Sequence, residues 1–362
     1  MVSLEAKLRI AVFGVGRMGQ RHATNVAYST PRAQLVAVCH IKTEALEWAK
    51  ANLPEGTKYY SDPAECLADP DVDAVLIASV TSSHPELTLE AIKAGKHVLC
   101  EKPISISIEE SIPVVKAAAE HPEVKVMIGF SRRYDASYRE TKGRIEAGQL
   151  GTPYLIKSAT NDQYDPSGFF IAYSKLSGAI FMDCGIHDID IARWLLDVEN
   201  PKKLSKPKKQ VTRVFATGLN AQHPELANDG DCDNGLAVVD FENGTKCTFH
   251  LSRTATHGHD CFCEVFGTDG KIIVNGNPTM SRVEIRDSHG VRTESTPNYY
   301  DRFREAFVTE VNTFTECVLD DKPVPTTAQS ALDAAVIASA LTYSFRNEKP
   351  IYFDDNGNPI LN

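Results

Sequence analysis

Lys102 follows a short apolar run and precedes a proline in the sequence Val98-Leu99-Cys100-Glu101-Lys102-Pro103. A lysine at the end of a buried strand is partly desolvated, and desolvation lowers the pKa of its ammonium group toward values useful in catalysis. In open parallel sheets, ligands bind at the carboxyl ends of the strands. The sequence therefore predicts a functional site at Lys102.

Asp183 and His187 form a second candidate pair, four residues apart near the start of a predicted helix over residues 186–196. This spacing places both side chains on one helix face. A carboxylate beside an imidazole orients it and raises its basicity, as a general base requires. Surface neighbours often share this spacing, so both interpretations stay open. We expect Asp188 and Asp190 to cap the helix or to face solvent, with a hydrogen bond within the site as the alternative for Asp188.

A glycine motif, Gly14-Val15-Gly16-Arg17-Met18-Gly19, follows a predicted strand over residues 8–13 and opens a helix. The first two glycines allow a tight turn and the close approach of a pyrophosphate, and the third allows close packing of helix and strand. A purely structural turn is the alternative. The position between a strand and a helix favours a dinucleotide site.

The second predicted strand, residues 34–39, lacks the acid that normally binds the ribose 2′-hydroxyl. His40 and Lys42 stand there instead, and both could accept a 2′-phosphate. This favours NADP as the cofactor. NAD use stays open, because the two residues also suit the exposed start of a helix.

Strands and helices alternate over residues 1–129, which predicts a parallel sheet with crossover helices. From residue 130 to 325, strands dominate and predict a substrate-binding α/β domain with a mostly antiparallel sheet. We expect residues 326–362 to form a C-terminal helix and tail that pack back toward the first domain. The later strands are predicted at residues 155–159, 211–217, 236–241, 246–252, 261–266 and 271–274.

Composition excludes several classes of protein. The net charge of −10 argues against a nucleic-acid binder, and no apolar run approaches membrane-spanning length. The nine cysteines form no CxxC pair, so we expect a reduced, cytoplasmic protein. No G-x-S-x-G nucleophile motif occurs. The histidines near residues 250–259 lack a completing ligand cluster, and we expect no metal site.

Taken together, the glycine motif, Glu101-Lys102-Pro103, and Asp183 with His187 resemble the Gfo/Idh/MocA family of nicotinamide-dependent sugar and polyol oxidoreductases. The resemblance spans nearly the whole chain. Residues 129–135, 183–194 and 227–233 are most similar to the inositol 2-dehydrogenase branch. The family resemblance implies a Rossmann domain followed by an α/β domain with a large open sheet. One sheet face would hold the active site and the other an oligomer interface, in a homodimer or homotetramer.

The resemblance also implies roles for individual residues. Lys102 would bind the reacting oxygen, His187 would be the general acid/base, and Asp183 would assist it. Pro103 would follow a cis peptide bond. The implied substrate contacts are Arg132, Asn161 and His187, and His259, which stands where the sequence departs from the family pattern, is a further substrate contact that could suit a different substrate. The cofactor contacts that we assign are Gly14, Gly16, Arg17, Met18, Gly19, His40, Lys42, Ser79, His84, Glu101 and Lys102.

We therefore expect an NAD(P)-dependent dehydrogenase that oxidises a secondary alcohol of a cyclic polyol or sugar. Residues 256–259 replace a region that carries tyrosines in inositol dehydrogenases, so myo-inositol is one candidate among several. An aldose or dihydrodiol dehydrogenase of the same family is an alternative. A non-catalytic dinucleotide-binding sensor is another, although such proteins often lose the lysine or histidine that this chain retains.

Overall fold

Two compact units make up the computed structural model, which describes residues 6–361. The first unit comprises the chain up to Tyr134 together with Glu305–Asp333. The second comprises Asp135–Arg304 and the chain from Ala334 onward. This differs from the three-part division expected from the sequence. The first boundary lies near the expected one, but the later segment is shared between the two units.

The first unit contains a six-stranded parallel sheet in the order β3-β2-β1-β4-β5-β6. Central strands such as β4 are buried at every position, as expected when helices cover both faces. The strand order reverses beside β1, where ligands of such sheets bind. The predicted Rossmann-type architecture is confirmed. Its strands are β1 Leu8–Phe13, β2 Ala33–Cys39, β3 Lys58–Tyr60, β4 Ala74–Ile77, β5 His97–Glu101 and β6 Val126–Gly129.

Five helices connect these strands: α1 Arg17–Tyr28, α2 Thr43–Asn52, α3 Pro63–Ala68, α4 His84–Lys93 and α5 Ile108–Glu120. Ser107 caps α5, because its side chain accepts a hydrogen bond from the Glu110 amide. The later segment of this unit is tied to strand β6. The Ile128 amide donates to the Thr326 carbonyl at 3.0 Å, and the Thr326 hydroxyl donates to the Ile128 carbonyl at 2.7 Å.

The second unit contains an eight-stranded sheet in the order β12-β11-β7-β10-β9-β8-β15-β16. Strands β7 and β10 pair in parallel, and the other neighbours pair antiparallel, so the predicted mostly antiparallel sheet is confirmed. The strands are β7 Pro153–Gln163, β8 Val211–Leu219, β9 Asn234–Phe241, β10 Lys246–Ala255, β11 Asp260–Gly267, β12 Gly270–Val274, the small hairpin β13 Ile285–Asp287 and β14 Gly290–Arg292, and the tail strands β15 Ile351–Phe353 and β16 Pro359–Ile360.

Burial alternates along these strands with a period of two, so one sheet face is covered and the other is open. The helices that begin in this unit are α6 Ala136–Glu146, α7 Phe169–Ser177, α8 Ile180–Asp183, α9 Gly185–Leu195 and α10 Tyr299–Leu319, whereas α11 Ala328–Asn347 begins in the first unit and ends in the second. Sequence periodicity predicts α9 but not α7 or α8, which are short.

No helix within residues 6–361 is long and apolar enough to cross a membrane. The nine cysteines are buried thiols.

Candidate active site

The glycine turn after β1 packs tightly against the end of β4. Gly14 has a φ of +85°, and a Cβ there would lie 2.6 Å from the Ser79 Cα. A Cβ at Gly19 would lie 1.7 Å from the Gly14 carbonyl oxygen, so this position also requires glycine. A Cβ at Gly16 would meet no protein atom within 4 Å. The backbone beside Gly16 is therefore open to a ligand, as a dinucleotide pyrophosphate requires.

Two pairs of predicted cofactor residues lie at the starts of helices. Arg17 and Met18 open α1, with Arg17 exposed and Met18 half-buried. After β2, the Lys42 amide donates to His40 Nδ1 at 2.9 Å, and the His40 amide donates to the Tyr60 carbonyl. Burial and the nearby Lys42 charge lower the pKa of His40, so its imidazole is neutral near pH 7.

His84 is buried beneath the lysine-bearing segment. Its Nδ1 lies 2.9 Å from the Pro103 carbonyl and its Nε2 lies 3.3 Å from the Ser79 carbonyl. Burial opposes the charged imidazole, but Cys100 and these carbonyls outweigh it and raise the pKa of His84 to about 9. His84 therefore links the backbone at Ser79 to the backbone at Pro103 and supports both segments.

Lys102 follows β5 and is half-buried, and the predicted cis bond between Lys102 and Pro103 is confirmed. The Glu101 carboxylate holds the backbone at this point. Its Oε2 accepts the Lys102 amide at 3.2 Å, and its Oε1 lies 2.7 Å from His22 Nε2. Although burial opposes ionisation, the bond to His22 and the charge of Lys102 lower the pKa of Glu101.

Within the described residues, one group of three side chains has the composition of a metal site. His22, Glu101 and Glu310 each place a potential ligand atom within 4.8 Å of the others. Sequence reasoning missed this group, because Glu310 is far from the other two along the chain.

In the second unit, helices α8 and α9 carry Asp183 and His187. Cys184 joins the two helices and keeps right-handed helical angles, so the path of the chain is nearly continuous. The expectation that the neighbouring acids face solvent is wrong, because Asp188 and Asp190 are both buried. Asp188 is bound to strand β7, where it accepts hydrogen bonds from the hydroxyls of Ser158 and Thr160.

Arg253, at the end of β10, contacts Asp183 and was missed by the sequence reasoning. Its guanidinium is fully buried and lies 3.3 Å from Asp183 and 3.4 Å from Asp231. It also lies over the ring of Phe170, 5.2 Å from the centroid. The predicted strand ended at Ser252, whereas β10 continues to Ala255 and so includes Arg253. The signal that could have found it is the pair of acids Asp183 and Asp231, because buried carboxylates require a cation or hydrogen-bond donors nearby.

The predicted substrate residues Asn161 and His259 lie on or near adjacent strands of the second sheet. Asn161 Oδ1 is buried and has no hydrogen-bond partner among residues 6–361. His259 Nδ1 lies 3.1 Å from Asp162, which also accepts from the Cys184 thiol at 3.4 Å. Burial opposes the charged imidazole, but Asp162 outweighs it and raises the pKa of His259 to about 9. Arg132, in the first unit, is buried in a short 3-10 helix.

Two family models match the chain. The first, described as an oxidoreductase family with an NAD-binding Rossmann fold, covers residues 8–130. The second, a GFO/IDH/MocA C-terminal domain, covers residues 138–273.

Several characterised proteins are similar along nearly their full length. The chain is 38% identical over 356 residues to a scyllo-inositol 2-dehydrogenase (NAD(+)) of Bacillus subtilis, which covers 97% of this chain and 98% of that protein. It is 31% identical to a myo-inositol 2-dehydrogenase of Thermotoga maritima, covering 96% and 99% of the two chains. The solved scyllo-inositol dehydrogenase of Lactobacillus casei with bound NAD(H) and scyllo-inositol has a TM-score of 0.88, 31% identity, and coverage of 96% and 99%.

Proposed function

This chain belongs to the GFO/IDH/MocA family of NAD-binding oxidoreductases, and on that premise we propose that it oxidises one secondary hydroxyl of an inositol. One observation carries the proposal: Lys102, Asp183 and His187 occur together in a chain whose full-length relatives are named as inositol dehydrogenases. A related aldose as substrate is the alternative that the same residues would serve.

The three polar residues divide the chemistry of one hydroxyl group. His187 takes the hydroxyl proton, and Asp183 orients the imidazole and favours its protonated form. Lys102 places a positive charge at the oxygen as negative charge develops there. When bound, the nicotinamide ring accepts the hydrogen of the same carbon as hydride. The hydrogen bond from the Lys102 amide to the Glu101 carboxylate fixes the backbone from which the lysine side chain extends.

Asn161 is proposed to bind a second hydroxyl of the substrate. Its buried carbonyl oxygen has no donor among the described residues, and an unpaired buried acceptor is costly unless a ligand supplies one. His259, held by Asp162, and Arg132 are proposed as further contacts.

We propose NAD as the preferred cofactor in place of the NADP expected from the sequence. The expectation assumed that His40 and Lys42 could both receive a 2′-phosphate. His40 is neutral and its Nδ1 accepts a hydrogen bond from the Lys42 amide. Of these two side chains, only Lys42 would therefore offer the phosphate a positive charge. The relatives give no support to NADP, since the names that specify a cofactor mention NAD.

A second copy of this chain is the proposed partner. The open face of the second sheet exposes Phe215, Leu236 and Val238. Phe215 stands opposite Val238 in the register of β8 and β9, and Leu236 lies two residues along, so the three form one apolar patch. Sedimentation of wild type and of Val238→Glu would test this, and a wild-type monomer would contradict it.

The function is tested by following cofactor reduction with a panel of inositols and aldoses, with NAD and NADP in parallel. Lys102→Ala and His187→Ala should each lower turnover roughly 10²–10⁴-fold while NAD binding persists. Lys93→Ala and His289→Ala replace exposed residues of the same types and should leave turnover unchanged. Near-normal turnover in both active-site variants would overturn the proposal. The absence of turnover with every compound would favour a dinucleotide sensor.

A further inference from the structure

Glu310 is a fully buried acid in helix α10 whose surroundings call for an explanation. Both of its carboxylate oxygens are buried and have no hydrogen-bond partner among residues 6–361. The group that it faces is another carboxylate, Glu101, and the imidazole of His22 completes the cluster. An ionised carboxylate in this position would be both desolvated and repelled.

The Glu101 carboxylate already has two hydrogen-bond partners other than Glu310. It binds His22 at 2.7 Å and accepts the amide of Lys102 at 3.2 Å. The side chains of His22, Lys102 and His84 act on it, and all of them favour its ionised form. Glu310 has no such partners, and burial together with the charge of Glu101 raises the pKa of Glu310 well above its usual 4.5. The negative charge of the pair therefore belongs on Glu101.

A divalent cation is the other occupant that these three side chains could hold. Metal-bound histidines almost always donate their second ring N–H to an acceptor. Here His22 Nδ1 is buried and has no partner within the described part of the chain. Instead, the ring packs edge-on against Phe307 with the centroids 5.7 Å apart. The short contact between His22 and Glu101 also makes a direct bond that needs no ion between them. These observations favour a proton over a metal.

We propose that Glu310 is protonated and Glu101 is ionised, and that the single negative charge of the pair positions the backbone of Lys102. Glu310 is thus a positioning residue, which acts on the reacting lysine through Glu101. The proposal rests on the proposed function only in assigning Lys102 to catalysis. The protonation of Glu310 stands independently of the substrate.

The test compares Glu310→Gln with Glu310→Ala in the full-length protein. Glutamine has the shape of the neutral acid and cannot ionise. A raised carboxyl pKa lowers stability as pH rises above the unfolded value near 4.5. The melting temperature of wild type relative to Glu310→Gln should therefore fall between pH 5 and pH 9. Glutamine should keep turnover within about threefold at pH 7. Alanine, which leaves a cavity, should lower both the melting temperature and kcat.

Metal analysis and pH profiles supply the outcomes that would overturn the proposal. One equivalent of a divalent metal in wild type, lost in Glu310→Gln together with stability, would establish a metal site instead. A melting temperature whose pH dependence is the same in wild type and Glu310→Gln would show that Glu310 holds no proton. If no polyol is oxidised at all, the melting curves still decide the protonation of Glu310. A failure of the proposed function is thereby separated from a failure of this inference.

Discussion

The two units bury carboxylates in opposite ways. In the first unit, Glu310 faces Glu101, and a proton is proposed to remove the second charge. In the second unit, Asp183 and Asp231 face the fully buried guanidinium of Arg253, so the charges are opposed by a cation. Both clusters support a proposed catalytic residue. The comparison shows that the same problem, a charge taken out of water, has two solutions in one chain.

The two solutions differ in how they respond to pH. A proton-holding acid such as Glu310 is best tolerated at low pH and costs stability as pH rises. The Asp162–His259 pair behaves differently, because the pKa of Asp162 is lowered and that of His259 is raised. The stabilisation by this pair is full between the ordinary pKa values of the two groups, 3.8 and 6.5. It is lost as pH falls through the lowered pKa of Asp162 or rises through about 9, the raised pKa of His259. Each prediction below alters one of these clusters.

The largest effect is expected for Arg253→Met. The change keeps apolar volume but leaves Asp183 and Asp231 without their buried cation, which should lower the free energy of unfolding by about 3–5 kcal/mol. Turnover should fall as well, because Asp183 loses the contact that orients it. Urea denaturation followed by circular dichroism measures the first effect.

Arg213→Met is the matched control for that measurement. Arg213 pairs with Asp240 on the same sheet, but its side chain is 45% exposed, so the loss should be about 0–1 kcal/mol. Equal losses in the two variants would remove the distinction between buried and exposed pairs on which the comparison depends.

A second, smaller effect is expected for His259→Gln. The pKa of His259 is raised from 6.5 to about 9, so its stabilising contribution is full below pH 6.5 and is lost as pH rises through 9. The difference from wild type should be on the order of 3 kcal/mol near pH 6 and should shrink above pH 9. His289→Gln, at a side chain that is 80% exposed, should show no such trend. A pH-independent difference at position 259 would contradict the ion-pair explanation.

The smallest effect is expected for Asp231→Asn. Burial raises the pKa of Asp231 although Arg253 opposes the shift, so at neutral pH its charge is costly. In the wild type, Asp231 Oδ1 accepts hydrogen bonds from the amides of Ile180 and Cys232. Asparagine removes the charge and keeps an oxygen that can accept the same two hydrogen bonds. The loss should be about 1 kcal/mol or less in the same unfolding measurement. A loss as large as that of Arg253→Met would mean that both carboxylates are indispensable to the cation.

Local patterns were sufficient to predict the fold and the family. The alternation of strand and helix gave the parallel sheet, and the glycine motif marked its first turn, where Gly14 and Gly19 are required by packing. The family resemblance carried by Lys102, Asp183 and His187 is confirmed at the level of the family. Each of these motifs is a short run of residues, which is why it could be recognised from the sequence.

Groups that meet only in the folded chain were out of reach of the sequence. Arg253 is 70 residues from Asp183, and Glu310 is far from Glu101, so no spacing rule connects them. The burial of Asp188 was not anticipated because its partners Ser158 and Thr160 lie on strand β7, 30 and 28 residues earlier in the chain. The preference for NADP did not take into account that His40 Nδ1 accepts a hydrogen bond from the Lys42 amide. Each omission concerns a polar group whose partner is distant in sequence or on the backbone.

The segment Glu305–Asp333 has a consequence for how this protein is made. It supplies Glu310 to the buried cluster and Thr326 to the edge of β6, yet it leaves the ribosome long after the rest of the first unit. Domains generally fold from the N-terminus during synthesis. Here the earlier unit cannot be completed until nearly the whole chain has been translated. A nascent chain halted near residue 134 should therefore present an unfinished Rossmann sheet to chaperones and proteases.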